Sequence, residues 1–212
     1  MKKQILKPRK TGEQRKRNHK VSVEKRIKKY IKNGGKGNLD LWGSPVEKLP
    51  DNLKVDGNLN LSGTPIKELP DNLKVGGSLF LEYTQIKELP DNLKVGDRLD
   101  LTNTPIKKLP DNLKLGGSLF LQNTPIKELP DNLKVGGSLF LQNTPIKELP
   151  DNLEVGSNLD LTNTPTKELP DNLQVVGSLF LKNTSLSEKY PKEEIRSMIE
   201  EKGGYVKGVI LL

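Results

Sequence analysis

Catalysis needs a nucleophile, an acid–base pair or a set of metal ligands gathered at one place, and this chain is poor in all three. It contains no cysteine, so it offers no thiolate nucleophile, no disulfide framework and no thiolate metal site. His19 is the only histidine and sits in a basic run with no second ligand beside it, which gives it a surface role. Glycine pairs such as Gly76-Gly77 recur, but each lies inside a repeated turn and does not open a helix, so none is a phosphate-binding loop. Carboxylates are plentiful, yet the series Asp51, Asp71, Asp91, Asp111, Asp131, Asp151, Asp171 places one per 20 residues beside lysines. Calcium needs clustered oxygen ligands, and an acid or base tuned for catalysis needs desolvation; this spacing gives neither. The expectation is a non-enzymatic protein with no metal and no cofactor.

The residues that do recur with purpose are those of recognition. One column reads Asp40, Asn60, Phe80, Asp100, Phe120, Phe140, Asp160, Phe180 and holds all four phenylalanines of the chain. Beside it runs Trp42, Ser62, Glu82, Thr102, Gln122, Gln142, Thr162, Lys182, with the only tryptophan. A polar surface dotted with aromatics has the composition of a protein-binding face, so Phe80, Phe120, Phe140, Phe180, Gln122, Gln142 and Trp42 are the candidate partner-binding residues. A second account is also open: Phe120 and Phe140 would be neighbours and could stack on each other for stability alone.

These columns exist because the chain repeats every 20 residues. Leu-Pro-Asp-Asn begins at Leu49, Leu69, Leu89, Leu109, Leu129, Leu149 and Leu169 without insertion or deletion. A fixed period of this length specifies a solenoid, in which each turn buries its apolar face against its neighbours. Within the turn from Leu115 to Lys134 the aliphatics are Leu115, Leu119, Leu121, Ile126, Leu129 and Leu133, which stack into six columns. Ser118-Leu-Phe-Leu-Gln122 alternates and predicts a strand with Leu119 and Leu121 inward and Ser118, Phe120 and Gln122 outward. Strands one turn apart then form a parallel sheet on one face. Asn123-Thr124-Pro125 and Leu129-Pro130-Asp131-Asn132 make two corners, and Gly116-Gly117 a third, where positive φ suits glycine. Ile126 to Pro130 is too short and too proline-interrupted for a regular helix, so the far side is extended or irregular.

The pattern Leu119-x-Leu121-x-x-Thr124-x-Ile126-x-x-Leu129-Pro130-x-x-Leu133 resembles the leucine-rich repeat in its short, 20-residue bacterial or phage-like form. Thr stands where that family usually has Asn or Cys. The resemblance covers roughly residues 37 to 185, about eight turns, and implies a leucine-rich-repeat solenoid acting as an interaction scaffold. Some bacterial leucine-rich-repeat effectors carry a cysteine-dependent ubiquitin-ligase domain; this chain has neither the cysteine nor room for the domain.

The net charge of +8 is unevenly placed. Residues 1–37 hold 15 Lys and Arg against Glu13 and Glu24, or +13, which leaves −5 for the rest. Residues 1–21 read as a flexible basic arm, and Lys2, Lys3, Lys7, Arg9, Lys10, Arg15, Lys16, Arg17 and Lys20 are candidate phosphate-neutralising residues for nucleic acid, the alternative being a solubilising tail. Residues 22–36 follow as a helix N-capped by Ser22, with Val23, Ile27, Tyr30 and Ile31 on one face, suited to cap the open solenoid end. Such a basic amphipathic helix could also lie on RNA or a membrane. Residues 186–212 depart from the repeat as a C-terminal cap: a helix from Pro191 to Lys202, then a strand from Tyr205 that extends the sheet. This helix, Gly-Gly, strand ending is similar to that of phage-encoded repeat proteins. No apolar run is long enough for a signal peptide or membrane helix, which favours a cytoplasmic protein or one packaged in a particle. The partner is expected to be a protein, with nucleic acid as the alternative reached through the basic arm.

Overall fold

The computed structural model describes residues 12–131 and 133–212, and over them the chain winds into a parallel β-solenoid flanked by helices. Each turn contributes two strands of two residues. Leu39–Asp40, Leu59–Asn60, Leu79–Phe80 and their successors to Leu179–Phe180, followed by Ile210–Leu211, form a nine-stranded parallel sheet in chain order. Lys54–Val55, Lys74–Val75 and their successors to Gln174–Val175, followed by Tyr205–Val206, form a second sheet of eight. Register is one repeat throughout: Leu119 pairs with Leu139 and Phe120 with Phe140.

The alternation predicts only the first sheet. The second arises where the chain is extended just before the glycine corner, so that the Gly76 N–H donates to the Val55 carbonyl at 2.8 Å and Gly77 N–H to Gly57 at 3.0 Å.

The leucine and isoleucine columns fill the space between the sheets and the far wall. Leu59, Leu79, Leu99, Leu119, Leu139, Leu159 and Leu179 have no exposed surface, nor do Leu61 and Leu81 one column on. Each fully buried side chain of this kind contributes about 2 kcal/mol from area removed from water. Every turn therefore depends on the turns above and below it for its stability.

At the first corner the two polar residues divide the work. Thr64, Thr84, Thr104, Thr124, Thr144, Thr164 and Thr184 are buried, and each hydroxyl donates to the carbonyl of the leucine three residues earlier at 2.6–2.8 Å. The asparagine before the threonine stands outside in left-handed backbone, with φ of 57° at Asn123 and 58° at Asn143. Its amide joins an exposed ladder: Asn143 to Asn123, Asn163 to Asn143 and Asn183 to Asn163, each at 2.8 Å. Asparagine accepts this backbone more readily than other non-glycine residues.

The glycine corner works differently from expectation. Gly76, Gly96, Gly116, Gly136 and Gly156 do not have positive φ. A Cβ on Gly96 would lie 2.1 Å from the Gly76 carbonyl oxygen, and one on Gly136 2.2 Å from that of Gly116. Close stacking of successive backbones, rather than an unusual dihedral, selects glycine here. Side chains appear in this column only towards its ends, at Asp56, Val176 and Lys207.

Helix α1 (Gly12–Lys32) closes the N-terminal end. It begins ten residues before the Ser22 cap expected from the sequence, so residues 12–21 are helical rather than part of a flexible arm. The reason is propensity: Gln14, Arg15, Lys16, Arg17 and Lys20 are good helix formers, and Ser22 alone does not interrupt them. Val23 and Ile27 are buried on the first turn and Tyr30 is half-buried, whereas Ile31 faces solvent at 45% exposure instead of joining them. Arg26 donates to the Asp40 carbonyl, and the Tyr30 hydroxyl donates to the Gly37 carbonyl at 2.8 Å, so side chains cover edge groups of the first turn.

At the other end come α2 (Ser185–Lys189) and α3 (Lys192–Glu201). Thr184, the last member of the buried threonine column, also N-caps α2 in a reciprocal pair with Ser187. The segment after α3 is not one strand: it splits at Lys207-Gly208, and Tyr205–Val206 and Ile210–Leu211 each extend a different sheet. Arg196 donates to the Val206 carbonyl at 2.7 Å and the Gly208 carbonyl at 3.0 Å. Those carbonyls correspond in register to Val175 and Gly177, whose oxygens accept from the turn that follows, so one guanidinium stands in for a further turn.

Candidate functional site

The outward face of the nine-stranded sheet carries the residues singled out by spacing. The leucines flanking each outward residue point into the core, and the pleat turns the residue between them to solvent. Phe80, Phe120, Phe140 and Phe180 are half-buried there, as are Gln122 and Gln142, while Trp42 is 71% exposed. Where the column holds Asp or Asn instead, the side chain turns back on its own strand. Asp40 accepts from the Trp42 N–H at 3.1 Å, Asn60 from Ser62 at 3.0 Å, Asp100 from Thr102 at 3.0 Å and Asp160 from Thr162 at 2.9 Å. Phenylalanine cannot make this bond, so its place in the column rests on what its ring touches.

The rings of Phe120 and Phe140 stack with centroids 4.5 Å apart and planes 26° from parallel. Arg98 lies over the same cluster, its guanidinium 3.8 Å from the Phe120 centroid and 5.2 Å from that of Phe80. It also pairs with Asp100, which has only 1% of its surface exposed although it occupies an outward position. Polar neighbours in its own column do not leave Phe80 without a contact, because Arg98 reaches it from the next column and bridges the two rings across Asp100. The arrangement is a cation held between aromatic faces and neutralised by a carboxylate.

Around this cluster several polar side chains pair across turns, while Arg98 Nε and Gln142 Oε1 are buried without a partner among the described residues. Thr102 donates to Gln122 at 3.1 Å, Gln142 donates to Asp160 at 2.5 Å, and Ser62 donates to Glu82 at 2.8 Å. Burial pushes the Glu82 carboxyl above its usual range; the Ser62 hydroxyl opposes that shift, and the nearby Asp100 charge adds to it. Phe180 lies at the far end of the column, in register with Leu211, which is 44% exposed.

Two members of this face escaped the column reading. Arg98 is the only charged residue in a column otherwise made of Ser and Asn. Tyr83 takes the left-handed corner position that is glycine at Gly43 and Gly63 and asparagine from Asn103 onward, with φ 58° and 68% exposure. In each case the departure from the column was the available signal.

The basic residues divide by position. Lys2, Lys3, Lys7, Arg9 and Lys10 lie outside the described residues, and Arg15, Lys16, Arg17 and Lys20 fall within α1. Further along α1, Lys25, Lys28, Lys29 and Lys32 are exposed. Among the described residues no group of three or more His, Cys, Asp or Glu could hold a metal ion, and no helix is long and apolar enough to cross a membrane. No protein-family model and no curated protein sequence matches the chain.

Proposed function

We propose that the protein is a non-enzymatic interaction scaffold, a leucine-rich-repeat solenoid of the short type, whose nine-stranded sheet face docks a protein partner. The observation that carries this reading is the line of half-buried rings, Phe80, Phe120, Phe140 and Phe180, on a face otherwise built mainly of polar side chains. Rigid, partly exposed aromatics beside an arginine are the residue types that concentrate binding energy at interfaces. The far wall, with alternating Lys and Glu columns, lacks such anchors. Replacing Phe120 and Phe140 together by Asn tests the reading, because Asn60 shows that the column accepts this residue with its backbone bond intact. The variant is expected to keep the circular dichroism and cooperative melting of the solenoid while losing the partner that the parent captures. Capture by the folded variant at parental strength contradicts the reading.

A second reading is favoured by the continuity of α1, which presents Lys25, Lys28, Lys29 and Lys32 on a rigid helix beside the basic residues that precede it. On this reading the protein associates with nucleic acid, or with a ribonucleoprotein or virion, through residues 1–32. Replacing those four lysines by Gln leaves Val23 and Ile27 in place, so the cap survives. Duplex DNA or structured RNA binding is expected to weaken with both the substitution and added salt. Binding that survives both this substitution and removal of residues 1–21 contradicts it.

A further inference from the structure

We infer that the corner formed by Trp42, Gly63 and Tyr83 is a binding site for a cationic side chain, an arginine or lysine presented by the docked partner. The inference rests on the sheet-face reading above and names the chemistry at one end of that face.

Trp42 and Tyr83 are 71% and 68% exposed, whereas the four phenylalanines are only half-exposed. Backbone bonds from the Gly43 N–H to Ser62 and from the Gly63 N–H to Glu82 make this corner three consecutive rungs of one ladder. The two aromatic positions are therefore two rungs, about 10 Å, apart along the sheet. Between them the floor is bare. A Cβ at Gly43 would meet nothing within 4 Å, and one at Gly63 would meet only the Gly43 Cα at 3.9 Å. Tyr83 holds its place at a cost, because an aromatic residue at φ 58° occupies backbone that the corner elsewhere assigns to glycine or asparagine. Strain of this kind persists where the side chain is needed.

Carboxylates border the same corner. Asp40 is fixed by the Trp42 N–H at 3.1 Å, and Glu82 by the Ser62 hydroxyl at 2.8 Å. Further along the face the protein already solves this problem internally, with Arg98 between Phe80 and Phe120 and paired to Asp100. At Trp42 and Tyr83 the rings and the carboxylates are present, but no cation of the described residues lies over either ring. Exposed indole and phenol faces beside carboxylates are the fitting receptor for a guanidinium or ammonium group.

Trp42 is the only tryptophan, so its fluorescence reports on this corner alone. The full-length protein is titrated with acetyl-Gly-Arg-Gly-Arg-Gly-amide and with the same peptide carrying citrulline, which keeps the shape of arginine without its charge. The arginine peptide is expected to change Trp42 emission saturably, with the citrulline peptide about fivefold or more weaker. Tyr83→Asn, which restores the corner's usual residue, is expected to weaken the arginine peptide by a similar factor while raising the melting temperature. Equal responses to the two peptides, no saturable response, or undiminished binding by Tyr83→Asn would overturn the inference. The Phe120→Asn, Phe140→Asn variant separates this result from the scaffold reading. Partner capture that survives that variant defeats the phenylalanine face and leaves the corner intact; an unresponsive Trp42 with capture lost does the reverse.

Discussion

Single residues on the sheet face work against stability as well as for it. Glu82 is partly desolvated and, to a lesser degree, feels the Asp100 charge, so its folded-state carboxyl retains a proton to higher pH than it does in the unfolded chain. The folded state therefore binds more protons between the unfolded and folded values, and stability falls as pH rises through that window. Above it the loss is constant. Glu82→Gln keeps an acceptor for the Ser62 hydroxyl and removes the charge. It is expected to melt higher than the parent at neutral pH, by no more than about 0.5 kcal/mol given solvent screening, and to match it in acid where Glu82 is protonated. Paired thermal melts near pH 3 and pH 7 check this, and a variant less stable at neutral pH would reverse the sign. Arg98 shows why such couplings are hard to foresee: its partners Asp100, Phe80 and Phe120 lie on three different strands and meet only when the turns stack at one-repeat register.

At the scale of the element, each turn is a near copy, so departures can be judged against their own column. The isoleucine column runs Ile66, Ile86, Ile106, Ile126, Ile146 and then changes to Thr166, which is equally buried. Its hydroxyl contacts that of Thr164 at 2.9 Å and reaches the Ile146 carbonyl only at 3.4 Å. Thr164 also donates to the Leu161 carbonyl at 2.7 Å, so it stays satisfied without its neighbour. Thr166→Ile restores the column and is expected to stabilise the solenoid by about 1 kcal/mol, read as a shift in the urea midpoint. An unchanged or lower midpoint would mean that this turn is narrower than the others. Most of this level was legible in the sequence, because periodic aliphatics declare both the strand and its inward face. The second sheet was not. A two-residue Lys-Val segment carries no alternation, and its pairing depends on the closeness of glycine backbones in adjacent turns. The start of α1 was equally hidden, since a run of charged helix formers continues through the one residue that resembled a cap.

For the molecule as a whole, the problem of a solenoid is its ends, where unpaired strand edges invite further pairing. Arg196 answers it at one end by donating to two carbonyls that a further turn would otherwise satisfy. Arg196→Ala is expected to cost about 1.5–3 kcal/mol and to increase self-association in sedimentation velocity. Arg196→Lys should recover only part of this, because an ammonium lacks the planar fork that spans both oxygens. Full recovery by lysine would show that charge alone matters there. Between the ends, the surface that carries the aromatic residues is the sheet face, and the scaffold reading stands or falls on contact with it. Site-specific photo-crosslinking in cells tests that contact directly, with p-benzoylphenylalanine placed either at Gln122 on the face or at Lys147 on the opposite wall. The account predicts a discrete protein adduct from position 122 and none from position 147. Adducts confined to position 147, or equal from both, would contradict it.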